Sequence, residues 1–167
     1  MLLKIMAALL FSAAGAAAGA AGSEKLRHDR DISRSIGTLL RHISSLIRST
    51  GMDVYRLSSE LKRTECLSGL GFIRKLPERF EPETDYHSLW HDAVDSESYK
   101  SDEKRILYDL GDELGSSDIA GQLAAIDRLE QEIADIEAAR TEDLNKKGRL
   151  YRSVGTLFGV MAGILII

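Results

Sequence analysis

Residues 101–167, SDEKRILYDLGDELGSSDIAGQLAAIDRLEQEIADIEAARTEDLNKKGRLYRSVGTLFGVMAGILII, decide the fold of this chain. The first part of this stretch carries apolar residues at helical spacing, which predicts an amphipathic helix. Ser101 is suited to cap the start of that helix, and Gly115 follows its last apolar residue as a C-terminal cap does. The apolar positions are Ile106, Leu107, Leu110 and Leu114.

A second and much longer helix is predicted directly after Gly115, with Ser116, Ser117 or Asp118 as its cap. Its apolar residues recur at intervals of four and three, which makes one narrow stripe. Because the connection is so short, the two helices are expected to be antiparallel neighbours. The stripe consists of Ile119, Leu123, Ile126, Leu129, Ile133 and Ile136.

The remainder of the chain predicts further helices and no strand. An apolar stripe from Ile32 to Ile47 ends at Gly51, and Asp53 is suited to cap the next helix. Residues 68–82 suggest a turn, a short helix and a loop, and Thr84 or Asp85 starts a helix that carries Trp90. No apolar residues alternate as they do in a strand, so we predict an all-α fold, a small antiparallel helical bundle. Its predicted core includes Trp90, Leu107, Leu110, Leu114, Leu123 and Ile126.

Residues 5–23 and residues 153–167, near the two ends of the chain, carry no charged side chain and are largely apolar. Residues 5–23 would span about 28 Å as a helix, and residues 153–167 about 22 Å. We therefore predict a transmembrane helix over residues 1–23, a soluble helical-bundle domain over 24–152 and a second transmembrane helix over 153–167. Glycines four residues apart, which allow membrane helices to approach closely, are candidates for helix packing. They are Gly15 and Gly19 in the first segment, and Gly155, Gly159 and Gly163 in the second.

The distribution of charge predicts the orientation in the membrane. Residues 1–52 and 144–167 each carry a net charge of +4, whereas residues 53–143 carry −12. The basic residues next to the two apolar segments lie on the side of the middle domain, and the positive-inside rule places that domain in the cytoplasm. An alternative is a secreted, C-terminally anchored scaffold, because residues 1–20 also fit a signal peptide with a cleavage site at Ala18-Gly19-Ala20.

Residues with the spacing of a catalytic or metal site are few. His87 and His91 have ligand spacing for zinc but lack the glutamate of a metalloprotease, and a metal-dependent hydrolase would have to use this pair. We predict no enzyme activity, no cofactor and no small-molecule substrate, and the acidic middle of the chain argues against nucleic-acid binding. Candidate surfaces for a protein partner are the acidic residues Asp109, Asp112 and Glu113 and the basic residues Arg34 and Arg41.

The run from Leu110 to Asp118, LGDELGSSD, together with Gln122 downstream, resembles the family of stage III sporulation protein AB. The resemblance extends over the order of the elements: an N-terminal membrane helix, a small helical domain with a tryptophan-containing helix, and a glycine-punctuated terminal segment. Its most specific part is residues 90–167.

The resemblance implies a component of the stage III A channel complex that forms between mother cell and forespore in endospore-forming bacteria. The soluble domain is similar to the cytoplasmic helical domain of the inner-membrane platform protein of type II secretion and type IV pilus systems. It implies a non-enzymatic adaptor in the mother-cell membrane, facing the forespore. Its partners would be the stage III AA ATPase, other stage III A membrane components and the lipid bilayer.

Overall fold

The computed structural model describes residues 2–51, 53–79 and 85–166, and every regular element in this part of the chain is helical. The prediction of an all-α fold is therefore confirmed for these residues. The elements, in chain order, are α1 (Leu2–Thr50), α2 (Val54–Arg63), the 3₁₀ helices Glu65–Leu67 and Gly71–Lys75, α3 (Tyr86–Asp95), α4 (Ser101–Glu113) and α5 (Ile119–Ile166).

The chain divides into two compact units. The bundle unit is Ile32–Glu137, and the terminal unit consists of Met1–Asp31 and Ala138–Ile167. Helices α1 and α5 each contribute to both units, since neither is interrupted where the units divide. The residues of the bundle unit are therefore inserted between the two segments of the terminal unit.

Helix ends in the bundle unit follow the predicted caps with one exception. Gly51 and Gly115 adopt φ values of 55° and 77°, which residues with a side chain rarely adopt, and so end α1 and α4. The Asp53 carboxylate accepts hydrogen bonds from two backbone N–H groups of α2, and Asp118 accepts one from the Gly121 N–H at 2.8 Å. Asp85 caps α3 in the same way.

The exception is the start of α4. Ser101 was the predicted cap, but the capping residue is Lys100, whose backbone is extended and whose N–H donates to Oε2 of Glu103 at 3.1 Å. Glu103 is the third helical residue, where a carboxylate can reach back to the capping backbone. With Ser101 as the cap, the third helical residue would be Lys104, which has no carboxylate to reach back to the capping backbone.

The core of the bundle unit is formed by all of its helices. Trp90, Phe72 and Leu39 have no exposed surface, and the 3₁₀ helix Gly71–Lys75 supplies Phe72. The rings of Phe72 and Trp90 meet edge to face with their centroids 5.2 Å apart. In the same core, the hydroxyls of Ser58 and Tyr86 lie 2.9 Å apart, and burial raises the pKa of Tyr86 to about 12.

The long stripe of α5 is buried over most of its length in the bundle unit. Ile126, Leu129 and Ile133 are buried in the core of the bundle unit, and Leu123 is partly buried and packs against that core. Ile119, however, is 51% exposed, although its position in the stripe predicted burial. Ile119 is the first residue of α5 and lies at the end of the bundle unit. Its Cδ1 lies close to the position that a Cβ on Gly51 would occupy.

In the terminal unit, α1 and α5 approach each other at small residues. Ser23 and Gly148 are buried, and a Cβ added to Gly148 would lie 3.5 Å from Oγ of Ser23. Within the described part of the chain, no helix combines the length and hydropathy of a membrane span. The side chains of most apolar residues near either terminus lie outside that description.

Candidate partner-binding surface

Helices α3 and α4 pack against each other through Trp90 of α3. The indole Nε1 donates a hydrogen bond to the carbonyl oxygen of Leu107 at 2.7 Å, so the buried polar atom of the ring is satisfied. Gly111, one turn further along α4, lies directly against the indole. A Cβ at this position would be 2.7 Å from Nε1 and 2.8 Å from Cγ of Trp90.

The three acidic candidates, Asp109, Asp112 and Glu113, lie in the C-terminal part of α4. Asp109 pairs with Arg105, with 3.2 Å between Oδ2 and Nη1. Asp112 Oδ1 lies 2.9 Å from Nε2 of His91, and the Asp112 side chain remains 58% exposed. Glu113 is partly exposed. Two of the three carboxylates thus have a basic neighbour. The sequence did not indicate the pair of Asp112 with His91, because His91 lies on another helix.

A network of ion pairs continues from α4 to α5. Arg105 contacts Oε2 of Glu132 at 2.6 Å, and Arg128 contacts the other oxygen of that carboxylate at 3.2 Å. The hydrogen bond from Arg105 and the positive charges beside it lower the pKa of Glu132. The two arginine side chains are more than half exposed, so these ion pairs contribute little to stability.

A second cluster, which the sequence analysis missed, joins α3 to α4 around Asp95. The Asp95 carboxylate receives hydrogen bonds from Lys104, at 2.8 Å, and from the Tyr108 hydroxyl. These hydrogen bonds lower the pKa of Asp95. The ring of His91 lies beside Tyr108, with centroids 4.6 Å apart. Helical spacing on α4 places Lys104 and Tyr108 on one face, but only the fold shows that Asp95 faces them.

The basic candidates lie on α1, in the bundle unit. Arg41 lines an open groove of about 510 Å³ between α1 and α5, together with Arg48, whereas Arg34 does not line it. The opposite wall carries Asp127 and Glu130, and Arg48 lies 3.5 Å from Asp127. Burial raises the pKa of Glu130. Arg41 and Arg48 thus face acidic residues across the groove, and the groove is not a purely cationic surface.

The two histidines of α3 contact α4 at separate places. Nδ1 of His87 lies 2.7 Å from the carbonyl oxygen of Gly111, and His91 faces Asp112 as described above. Among the residues that the structure describes, no group of three or more His, Cys, Asp or Glu side chains is placed to hold a metal ion.

Of the glycines predicted to pack membrane helices, Gly19 is buried in the terminal unit. The packing of Gly15, Gly155, Gly159 and Gly163 lies outside what the structure describes. The close approach at Ser23 and Gly148 was not part of the predicted set. Its signal in the sequence is Gly148, a single small residue between Lys147 and Arg149, whereas Ser23 ends a run rich in alanine and glycine.

One comparison with known families covers nearly the whole chain. A family model described as stage III sporulation protein AB matches residues 4–167. The chain belongs to this family. The resemblance seen in the sequence is confirmed, and the family is a sporulation family and not a known enzyme family. No curated protein and no solved structure matches the chain.

The part of the sequence that most closely resembles the stage III sporulation protein AB family now has a structural explanation. In LGDELGSSD, the two glycines have different roles. Gly111 leaves space for the Trp90 indole, and Gly115 supplies the left-handed turn between α4 and α5. Asp118 caps α5, and Oε1 of Gln122 accepts a hydrogen bond from the Gly115 N–H at 3.2 Å. The motif therefore forms the α4–α5 turn and leaves the space on α4 in which the Trp90 indole packs.

Proposed function

We propose that this stage III sporulation protein is a non-enzymatic platform subunit of the stage III A complex. In this proposal the two apolar ends anchor the chain in the mother-cell membrane, and the bundle unit lies in the cytoplasm. There it docks the stage III AA ATPase through the acidic surface of α4. Membership of the family supports the role in sporulation, and the docking role is our inference.

The observation that carries the docking proposal is the concentration of acidic residues on one part of the bundle unit. Residues 85–137, which comprise α3, α4 and the first part of α5, contain fifteen Asp or Glu against four Lys or Arg. Asp112 and Glu113 lie at the exposed end of α4, and the core beneath them is fixed by Trp90. A rigid, charged surface favours fast and specific association with a partner of opposite charge.

Charge reversal tests the docking proposal. Replacement of Asp112 and Glu113 by lysine in the full-length chain is expected to weaken retention of the ATPase by about tenfold, because attractive contacts become repulsive. Asp109 is left unchanged because it holds Arg105. The measurement is the amount of ATPase captured by the immobilised chain at fixed salt.

The matched control for this experiment carries the same change in charge at another place. Asp92→Lys with Asp135→Lys alters two exposed acidic residues on α3 and α5 and is expected to retain the ATPase. Equal retention by the two double variants, or equal loss, would remove the end of α4 as the docking surface.

Membrane anchoring is supported by the two uncharged termini and by the basic residues that follow the first and precede the second. Lys25, Arg27 and Arg30 lie after the first apolar segment, and Lys146, Lys147 and Arg149 lie before the second. Basic residues at these places are typical of the cytoplasmic ends of membrane helices.

The single cysteine of the chain provides a test of orientation. Cys66 is exposed in the bundle unit, so its thiol is accessible to a maleimide. We expect a membrane-impermeant maleimide to leave Cys66 unlabelled in intact cells and to label it after lysis. A Cys66→Ser variant with a cysteine appended after residue 167 is expected to be labelled in intact cells. The alternative, a secreted scaffold, predicts labelling of Cys66 in intact cells and a mature N-terminus near Ala20.

A further inference from the structure

The bundle unit carries a protruding turn at one end of α2 and a pocket at the other. At the N-terminal end, a Cβ on Gly115 in the α4–α5 turn would lie 3.2 Å from Val54, the first residue of α2. At the C-terminal end, a pocket of about 220 Å³ is formed by the end of α2 and the two 3₁₀ helices. Ten helical residues span about 15 Å, so the turn cannot enter the pocket of its own chain.

The pocket has an apolar floor, and its rim carries Lys62, Arg63 and Arg74 against one acidic residue, Glu65. Leu67, Leu70 and Ile73 form much of the floor and are almost completely buried, while Arg63 and Arg74 on the rim are exposed. A cavity of about 150 Å³ accommodates a group the size of benzene, so this pocket has room for one aliphatic side chain.

The charge around the pocket is opposite to that of the rest of the bundle unit. Residues 54–79 contain six Lys or Arg and three Asp or Glu, whereas residues 85–137 contain four and fifteen. The bundle unit is thus basic at α2 and the 3₁₀ helices and acidic over α3, α4 and the start of α5. Surfaces of opposite charge on one molecule favour association of copies in a head-to-tail arrangement.

The α4–α5 turn has the shape and charge that the pocket requires. Ile119 is an aliphatic side chain, 51% exposed, at the tip of the bundle unit. It is surrounded in sequence by Asp112, Glu113 and Asp118, with Lys and Arg absent between Arg105 and Arg128. An apolar residue inside an acidic surface matches an apolar floor inside a basic rim.

We propose that the α4–α5 turn of one copy docks on the α2 pocket of a second copy, with Ile119 against the apolar floor. The contact joins two different surfaces, so each copy has one turn and one pocket to offer, and copies add in a row or close into a ring. This self-association shares the acidic end of α4 with the proposed docking of the ATPase. It can be tested separately, because it alone requires Ile119 and the basic rim.

A disulfide cross-link between native Cys66 and a thiol introduced at the turn tests this contact. Cys66 is exposed between Glu65 and Leu67, which both line the pocket, and Ser116 is exposed in the turn. Treatment of the purified full-length Ser116→Cys variant with diamide, which takes up the two electrons and two protons of the thiol pair, is expected to give a ladder of cross-linked copies. Mass spectrometry is expected to locate the bond between residues 66 and 116.

Three control variants make the result specific. Gln131→Cys, exposed on α5 away from the turn, is expected to cross-link about tenfold less. Arg63→Glu with Arg74→Glu, or Ile119→Ser, in the Ser116→Cys background is expected to reduce cross-linking by a similar factor without a change in circular dichroism. Equal cross-linking from positions 116 and 131, or no effect of the rim reversal, would overturn the proposal.

Mixing two defective variants provides a final test. One carries Arg63→Glu, Arg74→Glu, Cys66→Ser and Ser116→Cys, so only its turn is intact. The other carries Ile119→Ser and retains Cys66, so only its pocket is intact. Each alone is expected to remain uncross-linked, while the mixture gives a product of two chains and no ladder. Absence of that product would exclude the turn-to-pocket contact, and retained capture of the ATPase by both variants would show that the docking proposal is independent of it.

Discussion

Replacement of Gly111 by alanine is expected to lower the free energy of unfolding of the bundle unit by about 3 kcal/mol, although alanine favours helices. Gly111 lies in the last turn of α4, where glycine itself costs up to about 1 kcal/mol relative to alanine. The added methyl group would lie 2.7 Å from Nε1 of Trp90, and this distance is too short for any contact of carbon with an indole. The indole would have to move, and its hydrogen bond to Leu107 would weaken.

The measurement is urea unfolding followed by the fluorescence of Trp90, which is the single tryptophan of the chain. Gly37→Ala is the matched control, because Gly37 is also buried inside a helix. A Cβ there would meet Arg41 and Ile133 at 3.5 Å, which is ordinary van der Waals contact. Gly37→Ala is therefore expected to raise the free energy of unfolding by up to about 1 kcal/mol. A Gly111→Ala variant as stable as wild type would contradict the packing of Trp90 on α4.

Replacement of Glu103 by alanine is expected to cost about 3 kcal/mol of unfolding free energy. Glu103 is 2% exposed, and its carboxylate has two partners. One oxygen accepts a hydrogen bond from the Ser33 hydroxyl at 2.7 Å, and the other accepts one from the Lys100 N–H at 3.1 Å. The change would remove both a helix cap and a buried contact between α1 and α4. Hydrogen bonds to a charged group are the stronger ones, so both losses add to the effect.

Ser101→Ala serves as the control for the cap, because Ser101 was the residue expected to cap α4 from sequence. Since Lys100 and Glu103 provide the cap, Ser101→Ala is expected to change stability by less than about 0.5 kcal/mol. A double-mutant cycle with Ser33→Ala measures the contact between α1 and α4, and a coupling of about 1–2 kcal/mol is expected. Additive effects of Ser33→Ala and Glu103→Ala would show that the hydroxyl and the carboxylate do not interact.

The helices were predictable because their signals are local. Gly51 and Gly115 end α1 and α4, and Asp53 and Asp118 start α2 and α5, as the order of capping residues indicated. The stripe of α5 was predictable as far as Ile133 for the same reason. Ile119 departs from it because periodicity indicates a face of a helix but does not show where the neighbouring elements end.

The surface was less predictable, because its contacts join residues far apart in the chain. The pairs of His91 with Asp112, Arg105 with Glu132 and Lys104 with Asp95 all form between different helices. Glu103 was not considered a buried residue, since its burial depends on a serine seventy positions earlier. The pocket at the end of α2 likewise needs two 3₁₀ helices, whose short length leaves no periodic pattern in the sequence.

The insertion of the bundle unit between the two segments of the terminal unit constrains the order in which the chain folds during synthesis. The first segment, Met1–Asp31, leaves the ribosome before the bundle unit but has its partner in Ala138–Ile167, which is made after the bundle unit. The core of the bundle unit in turn waits for Ile133, which lies against Gly37 of α1. Because domains otherwise fold from the N-terminus as they emerge, the first segment must remain without its partner until the whole bundle unit has been made.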